Sequence, residues 1–137
     1  MVSGIRMNED KLDFLTSLAK QSLPLESCAL LLGEINTKNL EIVVSDVIAV
    51  KNSDSSPVSF SIDPDDLIAG YQVSESRNLQ VVGIFHSHPA EAFPSSIDKI
   101  YMKINPVVWV IYSTLTNEFR AYIFEDDLKE VGLRVMV

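Results

Sequence analysis

The chain has little of several residue types, and each shortage excludes a class of protein. One cysteine, Cys28, among 137 residues rules out an internal disulfide framework. Six prolines and five glycines are too few for a disordered or fibrous chain. No apolar run approaches the roughly 20 residues of a membrane-spanning helix, and the N-terminus lacks the apolar core of a signal peptide. We therefore expect a cytoplasmic protein with a single domain, residues 1–137, that binds no membrane.

Basic residues are also scarce, which limits the partners that the protein can bind. The chain has 11 lysines and arginines against 19 aspartates and glutamates, a net charge of −8. Binding to nucleic acid or to an anionic membrane requires a basic stretch that contacts phosphates, and the sequence contains none. The charge therefore excludes nucleic acid as a partner and is compatible with a basic partner or a neutral peptide.

Hydrophobic periodicity and capping signals predict an α+β fold, in which a mostly antiparallel sheet is flanked by two to three helices. The predicted elements are, in chain order, helix 9–22, strands 26–33, 40–50 and 58–62, helix 64–77, strand 79–85, helix 95–104, and strands 107–112, 118–124 and 131–137. A polar loop at residues 52–57 is the segment in which we expect the most flexibility.

Two of the predicted helices carry apolar residues at helical spacing, and we expect these residues to face the core. In the second helix they are Leu67, Ile68 and Tyr71. In the third helix, the positions i, i+3, i+4 and i+7 are Ile97, Ile100, Tyr101 and Ile104.

The only two histidines of the chain lie two positions apart, at the end of a predicted strand. Side chains at positions i and i+2 of a strand share one face, so His86 and His88 can present both imidazoles to one point. Neutral imidazole is a common zinc ligand. Asp98 lies ten residues further on, and the proline-rich loop between can bring it back toward the histidines. Two histidines and one carboxylate leave a fourth position for water, as a hydrolytic zinc site needs.

Each of these features has an ordinary structural interpretation when it is taken alone. Ser95 and Asp98 have the spacing of a helix capping box, in which their side chains and backbone amides bond reciprocally. A pair of histidines on one strand is often structural, and Glu26 is an ordinary acid at the start of a strand. Cys28 is best interpreted as a small buried hydrophobe, with a redox or inhibitory role as the alternative.

In combination, the motifs resemble those of the JAMM (MPN+) family of zinc metalloproteases. The matching features are Glu26 beside an apolar strand, the His-Ser-His-Pro run at residues 86–89, and Ser95 with Asp98 three positions later. The order of helices and strands also fits, and the resemblance extends over almost the whole chain. It implies a cytidine-deaminase-like MPN fold and a minimal, prokaryotic or archaeal type of member that is similar to deubiquitinases.

The resemblance also implies a role for each site residue. His86, His88 and Asp98 would bind Zn²⁺. Glu26 would act as general base toward the attacking water and then as acid toward the leaving amine. Ser95 would donate a hydrogen bond to the developing oxyanion. The loop before the serine is one residue shorter than is usual in the family, which affects the rim of the cleft.

The substrate implied by the resemblance is the C-terminal Gly-Gly tail of ubiquitin or a ubiquitin-like modifier, cleaved at a peptide or isopeptide bond. An extended tail would pair with a strand edge, which we place at residues 52–57 and the strand after them, through Phe60. Two alternatives remain: a peptidase that processes sulfur-carrier tails, and a non-catalytic MPN scaffold. The apolar segment 131–137 could pair across a homodimer.

Overall fold

Seven strands and three helices make up the described part of the chain in a computed structural model that covers residues 1–54 and 61–136. Their bounds are β1 Gly4–Asn8, α1 Glu9–Ser22, β2 Cys28–Ile35, β3 Glu41–Val50, α2 Pro64–Ser76, β4 Gln80–His88, α3 Ser96–Ile104, β5 Val108–Ser113, β6 Phe119–Glu125 and β7 Asp127–Met136.

The strands close into a mixed barrel in the order β1-β3-β2-β4-β5-β6-β7. Three pairings are parallel, namely β1 with β3, β1 with β7, and β4 with β5. The expectation of a mostly antiparallel sheet flanked by helices is therefore wrong, although the fold still combines helices with strands. The closure depends on β1, which pairs with β3 on one side and β7 on the other and which the sequence pattern did not predict.

The first helix and most strands lie where the sequence places them. Helix α1 has the predicted bounds, and the Asn8 side chain accepts a hydrogen bond from the Lys11 amide at 3.0 Å, as an N-cap does. Strand β7 begins at Asp127 and so is longer than predicted. Its first half pairs with β6 and its second half with β1, so the backbone of segment 131–136 forms its strand pairs within the same chain.

The predicted inner face of α3 is wrong. The residues that the structure buries on this helix are Asp98 and Met102, on the side of the helix away from the apolar stripe. The four apolar residues of the stripe are 40–68% exposed, and they are Ile97, Ile100, Tyr101 and Ile104. Periodicity correctly indicates an amphipathic helix, but it does not say whether the apolar side packs on the core.

Helix α2 is also rotated relative to the expectation. Leu67 is half-buried, whereas Ile68 and Tyr71 are more than half exposed. The helix instead packs through Gly70, where a Cβ atom would lie 2.2 Å from Cδ1 of Leu30. Glycine at this position lets α2 approach the sheet closely, which turns the larger apolar residues outward.

Alternate residues of β2 belong to two hydrophobic clusters, one on each face of the sheet. Ala29 and Leu31 pack with the buried side of α1, whereas Leu30 and Leu32 pack with Met102 of α3. The sheet is thus covered on both faces, which explains why β2 reads as a continuous apolar run.

The predicted strand 58–62 lies mostly outside the described residues, as does half of the predicted loop 52–57. The described ends of this segment meet in an antiparallel bridge between Asn52 and Ile62. Among the helices of the described chain, none combines the length and the apolar character that a membrane crossing requires.

Candidate active site

The two histidines lie at the C-terminal end of β4, between β2 and β5. His86 pairs in register with Cys28 on β2 and Ile111 on β5, and its side chain is fully buried. The two imidazole centroids are 5.4 Å apart and their planes cross at 82°. Both Nε2 atoms approach the same two carboxylates, so the predicted convergence of the two rings on one point is present.

Asp98 reaches the histidines from the first turn of α3. Its backbone amide donates to Ser95 Oγ at 3.1 Å, and its Oδ2 accepts from the Ser95 amide at 2.9 Å, which makes a capping box. The same Oδ2 lies 3.1 Å from Nε2 of His86 and 3.8 Å from Nε2 of His88. The capping and site interpretations of this motif are therefore compatible, because the cap fixes the carboxylate that faces the imidazoles.

Glu26 completes the group from the residue pair just before β2. Its side chain is buried, and neither carboxylate oxygen accepts a hydrogen bond from the described residues. Oε1 lies 4.0 Å from Nε2 of His86 and Oε2 lies 3.9 Å from Nε2 of His88. Burial, together with the charges of Asp98 and Asp54, raises the pKa of Glu26 to about 8.

The two carboxyl groups have opposite electrostatic behaviour. Burial also acts to raise the pKa of Asp98, but the hydrogen bond and charge of His86 and the bond from the Ser95 amide outweigh it and lower that pKa to about 2. Asp98 is therefore a permanent anion at neutral pH, whereas Glu26 can hold or release a proton there. Two carboxyl groups with separated pKa values are suited to different roles in one site.

The side chains present fit a zinc ion. Glu26, His86 and His88 offer ligand atoms that all lie within 4.8 Å of one another, and Asp98 Oδ2 is close to both imidazoles. Ligand atoms around a tetrahedral zinc, with bonds of about 2.0–2.1 Å, are about 3.3 Å apart. The closest N–O separations here are 3.1–4.0 Å, near that spacing. The oxygens of Glu26 are buried and accept no hydrogen bond from the described residues, so a cation or a water molecule bound to it would satisfy them.

The other ring nitrogen of His88 is held by the loop that follows it. Nδ1 lies 3.0 Å from the Glu91 carbonyl, to which it donates, so Nε2 keeps its lone pair directed at the site. This loop is fixed in turn by Ser113, whose hydroxyl donates to the Ala90 carbonyl at 2.5 Å. The imidazole of His86 packs edge-on against Trp109, with centroids 5.9 Å apart.

Ser95 can serve the cap and the site at the same time. As a helix cap, its Oγ accepts a hydrogen bond from the Asp98 amide and therefore uses a lone pair and not its proton. The side chain is half-buried at the edge of the cluster. The hydroxyl group keeps its O–H for an acceptor that enters the site.

The backbone around Glu26 is fixed by residues that the sequence analysis did not single out. The Ser27 amide donates to Ser87 Oγ at 2.8 Å, and the Ser87 amide donates to the Ser27 carbonyl at 3.0 Å. Asn52 Nδ2 donates to the Glu26 carbonyl at 2.8 Å. Ser87 stands between the histidines and could have been suspected from that position, whereas Ser113 and Asn52 carry no local signal.

An apolar groove of about 160 Å³ lies beside α3, next to the site residue His86 through Trp109. Its floor includes Trp109, which also contacts His86. The residues that line it come from the segment that precedes α2, from α2 itself, from β4 and β5, and from α3 and its C-cap, and they are Ser61, Ile62, Leu67, Ile84, Tyr101, Asn105 and Trp109.

Cys28 lies beside the site, but its thiol is buried and unreactive. Its side chain is 1% exposed and its Sγ lies 3.6 Å from the Val50 carbonyl. Burial, with the charges of Asp66 and Glu26, raises the pKa of this thiol to about 12. A thiol of that pKa is not a nucleophile at neutral pH, which favours the interpretation as a buried hydrophobe.

Comparison with known proteins gives a consistent result. Residues 9–124 match the family described as prokaryotic homologs of the JAB domain. The chain is 35% identical over 117 residues to the desampylase of Pyrococcus furiosus, which covers 85% of this chain and 79% of that protein. The solution structure of a protein from Desulfitobacterium hafniense has a TM-score of 0.84 and 26% identity over 96% of this chain and 92% of that one. One from Salinibacter ruber shares the fold, with a TM-score of 0.72 and 22% identity over 97% and 91% of the two chains.

Proposed function

Because the chain belongs to the family of prokaryotic homologs of the JAB domain, we propose that it is a zinc-dependent isopeptidase that cleaves after the C-terminal Gly-Gly tail of a ubiquitin-like modifier. The reaction releases the modifier from a conjugate or matures its precursor. The observation that carries the proposal is Glu26, a buried carboxyl without hydrogen-bond donors that faces two imidazoles and Asp98. The similarity of the chain to the desampylase of Pyrococcus furiosus supports the same substrate class.

In this proposal, His86, His88 and Asp98 hold the zinc ion. When bound, zinc supplies a Lewis acid that makes a water molecule more acidic and the scissile carbonyl more electrophilic. The three side chains are already held in place without it: Asp98 by the helix cap, His88 by the Glu91 carbonyl and His86 by its packing on Trp109. Such fixed outer contacts orient ligands and reduce the reorganisation that binding requires.

Glu26 is proposed to move the proton. Its carboxylate takes a proton from the attacking water and returns it to the leaving amine, so that the amine departs neutral. A raised pKa suits this task, because a group that must accept a proton near neutral pH needs a proton affinity well above that of an ordinary carboxylate. No described side chain competes for its oxygens with a hydrogen bond.

Ser95 is proposed to stabilise the charge that develops on the carbonyl oxygen. Its lone pair is used by the Asp98 amide, and its O–H remains to donate to the oxyanion. Loss of one such donor typically lowers the turnover rate by about 10²–10³-fold. The serine therefore contributes to the reaction without leaving its position as the helix cap.

The substrate tail is proposed to lie in the groove beside Trp109. A Gly-Gly tail has no side chains and needs a narrow path, and this groove is lined by Trp109, whose ring packs against that of His86. The folded body of the modifier would then cover the apolar stripe of α3, which begins at Ile97 and includes Ile100 and Ile104 at 60% and 68% exposure.

The proposal is tested by incubating the protein with two substrates, a linear modifier–peptide fusion and an isopeptide-linked conjugate. We expect cleavage after the Gly-Gly tail, loss of cleavage on chelation, and recovery on addition of zinc. The proposal is contradicted if the purified protein does not bind one equivalent of zinc, or if cleavage continues after chelation. Cleavage of a sulfur-carrier fusion without cleavage of the conjugate would favour the alternative peptidase function.

A further inference from the structure

Asn52 joins three separate segments of the chain through one side-chain amide. Its Nδ2 donates to the Glu26 carbonyl at 2.8 Å. Its Oδ1 accepts from the Asp54 amide at 2.9 Å and from the Ser61 amide at 3.1 Å. The donor end of the amide thus binds the residue that we assign as general base, and the acceptor end binds both described ends of the segment between residues 54 and 61.

The acceptor end of Asn52 stabilises a short antiparallel stem. Asn52 bridges Ile62, the Ser53 amide donates to the Ser61 carbonyl at 2.8 Å, and the Asp63 amide donates to the Lys51 carbonyl at 3.2 Å. Ser61 and Ile62 also line the groove beside Trp109, to which we assign the substrate tail. The stem, residues 51–53 and 61–63, is therefore part of the wall against which a substrate tail would lie.

The donor end of Asn52 holds a residue that the sheet does not hold. Strand β2 begins at Cys28, so Glu26 precedes the β-ladder. Its neighbour Ser27 is fixed by Ser87, and the Glu26 carbonyl is fixed by Asn52. The position of the Glu26 carboxylate therefore depends on a bond from the stem of the substrate groove.

We propose that Asn52 is a positioning residue that holds the general base Glu26 and the groove stem in one fixed relation. The inference rests on the proposed function, since it assigns Glu26 to proton transfer and the groove to the substrate tail. An asparagine is suited to this position because its side-chain amide has a donor, the NH₂ group, and an acceptor, the carbonyl oxygen. A residue with only one of the two can hold either the base or the stem, but not both.

The variant Asn52→Asp separates the two halves of this role. Aspartate keeps the acceptor for the amides of Asp54 and Ser61 and replaces the donor with an oxygen that repels the Glu26 carbonyl. We expect kcat to fall by about tenfold or more while KM stays within about twofold, because the base is displaced and the groove is kept. Asn52→Ala removes both ends, so we expect kcat to fall and KM to rise.

A matched control is Asn39→Asp, the same chemical change on another asparagine whose Oδ1 accepts a backbone amide, that of Glu41 at 3.0 Å. This variant should leave kcat and KM unchanged. A kcat for Asn52→Asp equal to that of the control overturns the inference, as does an effect of both Asn52 variants on KM alone.

Amide hydrogen exchange of the same proteins tests the inference without any substrate, so it remains decisive if the proposed activity is absent. In Asn52→Asp we expect faster exchange at the Ser27 amide and unchanged protection of Asp54 and Ser61. In Asn52→Ala all three amides should exchange faster. Wild-type protection of Ser27 in Asn52→Asp would overturn the inference by itself, whereas a wild-type protein that cleaves no modifier would overturn only the proposed function.

Discussion

At the scale of single residues, the chemistry of the site depends on the contrast between Glu26 and Asp98. Both carboxyl groups are buried, but Asp98 accepts a backbone hydrogen bond and lies 3.1 Å from an imidazole nitrogen, whereas Glu26 has no such donor. The first stays an anion and is suited to bind a cation. The second gains or loses a proton at little cost near neutral pH, and that is the property a base for amide hydrolysis needs.

The metal-free protein should show this contrast in the pH dependence of its stability. The pKa of Glu26 is raised in the folded state to about 8 from 4.5, so the folded protein keeps a proton that the unfolded chain releases. The resulting stabilisation is complete below pH 4.5 and is lost as the pH rises to about 8. Across that window it amounts to a few kcal/mol, on the order of 1.4 kcal/mol per pKa unit.

The corresponding measurement is the thermal midpoint of chelated wild-type protein and of Glu26→Gln between pH 5 and pH 8. Glutamine does not titrate and costs less to bury, so we expect the variant to gain stability over wild type as the pH rises. Both proteins retain the two histidines and Asp98. The pKa of Asp98 is lowered to about 2, so its own effect on stability falls below this pH window. A difference between the two midpoints that is constant with pH would contradict the assignment of Glu26.

The clustering of two pairs of candidate residues was predictable because the signals are local in sequence, whereas Glu26 was linked to them only by the family resemblance. The His86 and His88 pair needs only a strand, and the Ser95 and Asp98 pair needs only a helix start, to bring their side chains together. The proposed role of Asn52 was not predictable, because two of its three partners are 26 residues before it and nine residues after it. In the sequence it is simply the first residue of a polar loop.

At the scale of elements, α3 connects the site to the surface. Its N-cap Ser95 and Asp98 in its first turn lie at the site, and its outer side exposes the stripe that includes Ile100. The reversal of the predicted inner face has a physical cause. The side of α3 that faces the sheet must bring Asp98 to the buried histidines, and Met102, one turn further along the same side, is therefore the residue that packs in the core. Apolar residues at helical spacing show that one side of a helix is apolar. They do not distinguish a side that packs on the core from a side that binds a partner, because both give the same spacing.

Substitution of Ile100 by Asp should weaken binding of the modifier but not the chemical step. Covering an exposed isoleucine contributes about 1.5–3 kcal/mol, so we expect KM for a folded modifier conjugate to rise by about tenfold or more with kcat unchanged. Cleavage of a short peptide that contains only the Gly-Gly tail should not change. Phe14→Asp, on the exposed side of α1 at 48% exposure, is the matched control and should leave both substrates unaffected.

The assignment of the α3 stripe is wrong if Ile100→Asp and Phe14→Asp give the same KM for the conjugate. It is equally wrong if the short peptide is affected as much as the conjugate, because the substitution would then act on the site itself.

At the scale of the whole molecule, a charged cluster joins the three strands at the barrel closure. Glu41 of β3 is 8% exposed and lies between Arg134 of β7, at 2.8 Å, and Arg6 of β1, at 3.5 Å. These are the same strands that pair in parallel through β1. The cluster therefore links distant parts of the chain where the mixed topology closes.

Glu41→Gln should destabilise the fold without changing the site. The substitution removes the charge that both arginines face, and since Arg134 is largely exposed we expect a loss of about 1–2 kcal/mol in the free energy of unfolding. Urea unfolding measures this loss. Glu130→Gln, in an exposed pair with Arg120, is the control and should give no measurable change. Equal stability of the two variants would contradict a role for Glu41 in closure.

The barrel itself could not be read from the sequence, even though most strands could. Pairing of β1 with β3 and β7 joins residues near 5, 42 and 133, and no local pattern encodes that contact. Residues 4–8 also form a very short segment with only two large apolar residues, Ile5 and Met7, so the strand that closes the barrel was missed. The parallel pair of β4 and β5 follows from the α3 crossover, which the predicted order of elements contained but did not resolve into a direction.

The most direct test of the central claim is the rate of isopeptide cleavage by Glu26→Gln compared with wild type, both loaded with one equivalent of zinc. If Glu26 moves the proton, the variant retains metal and binds substrate with a similar KM, while kcat falls by about 10²–10⁴-fold. A zinc-loaded Glu26→Gln protein that cleaves the conjugate at the wild-type rate would contradict the account.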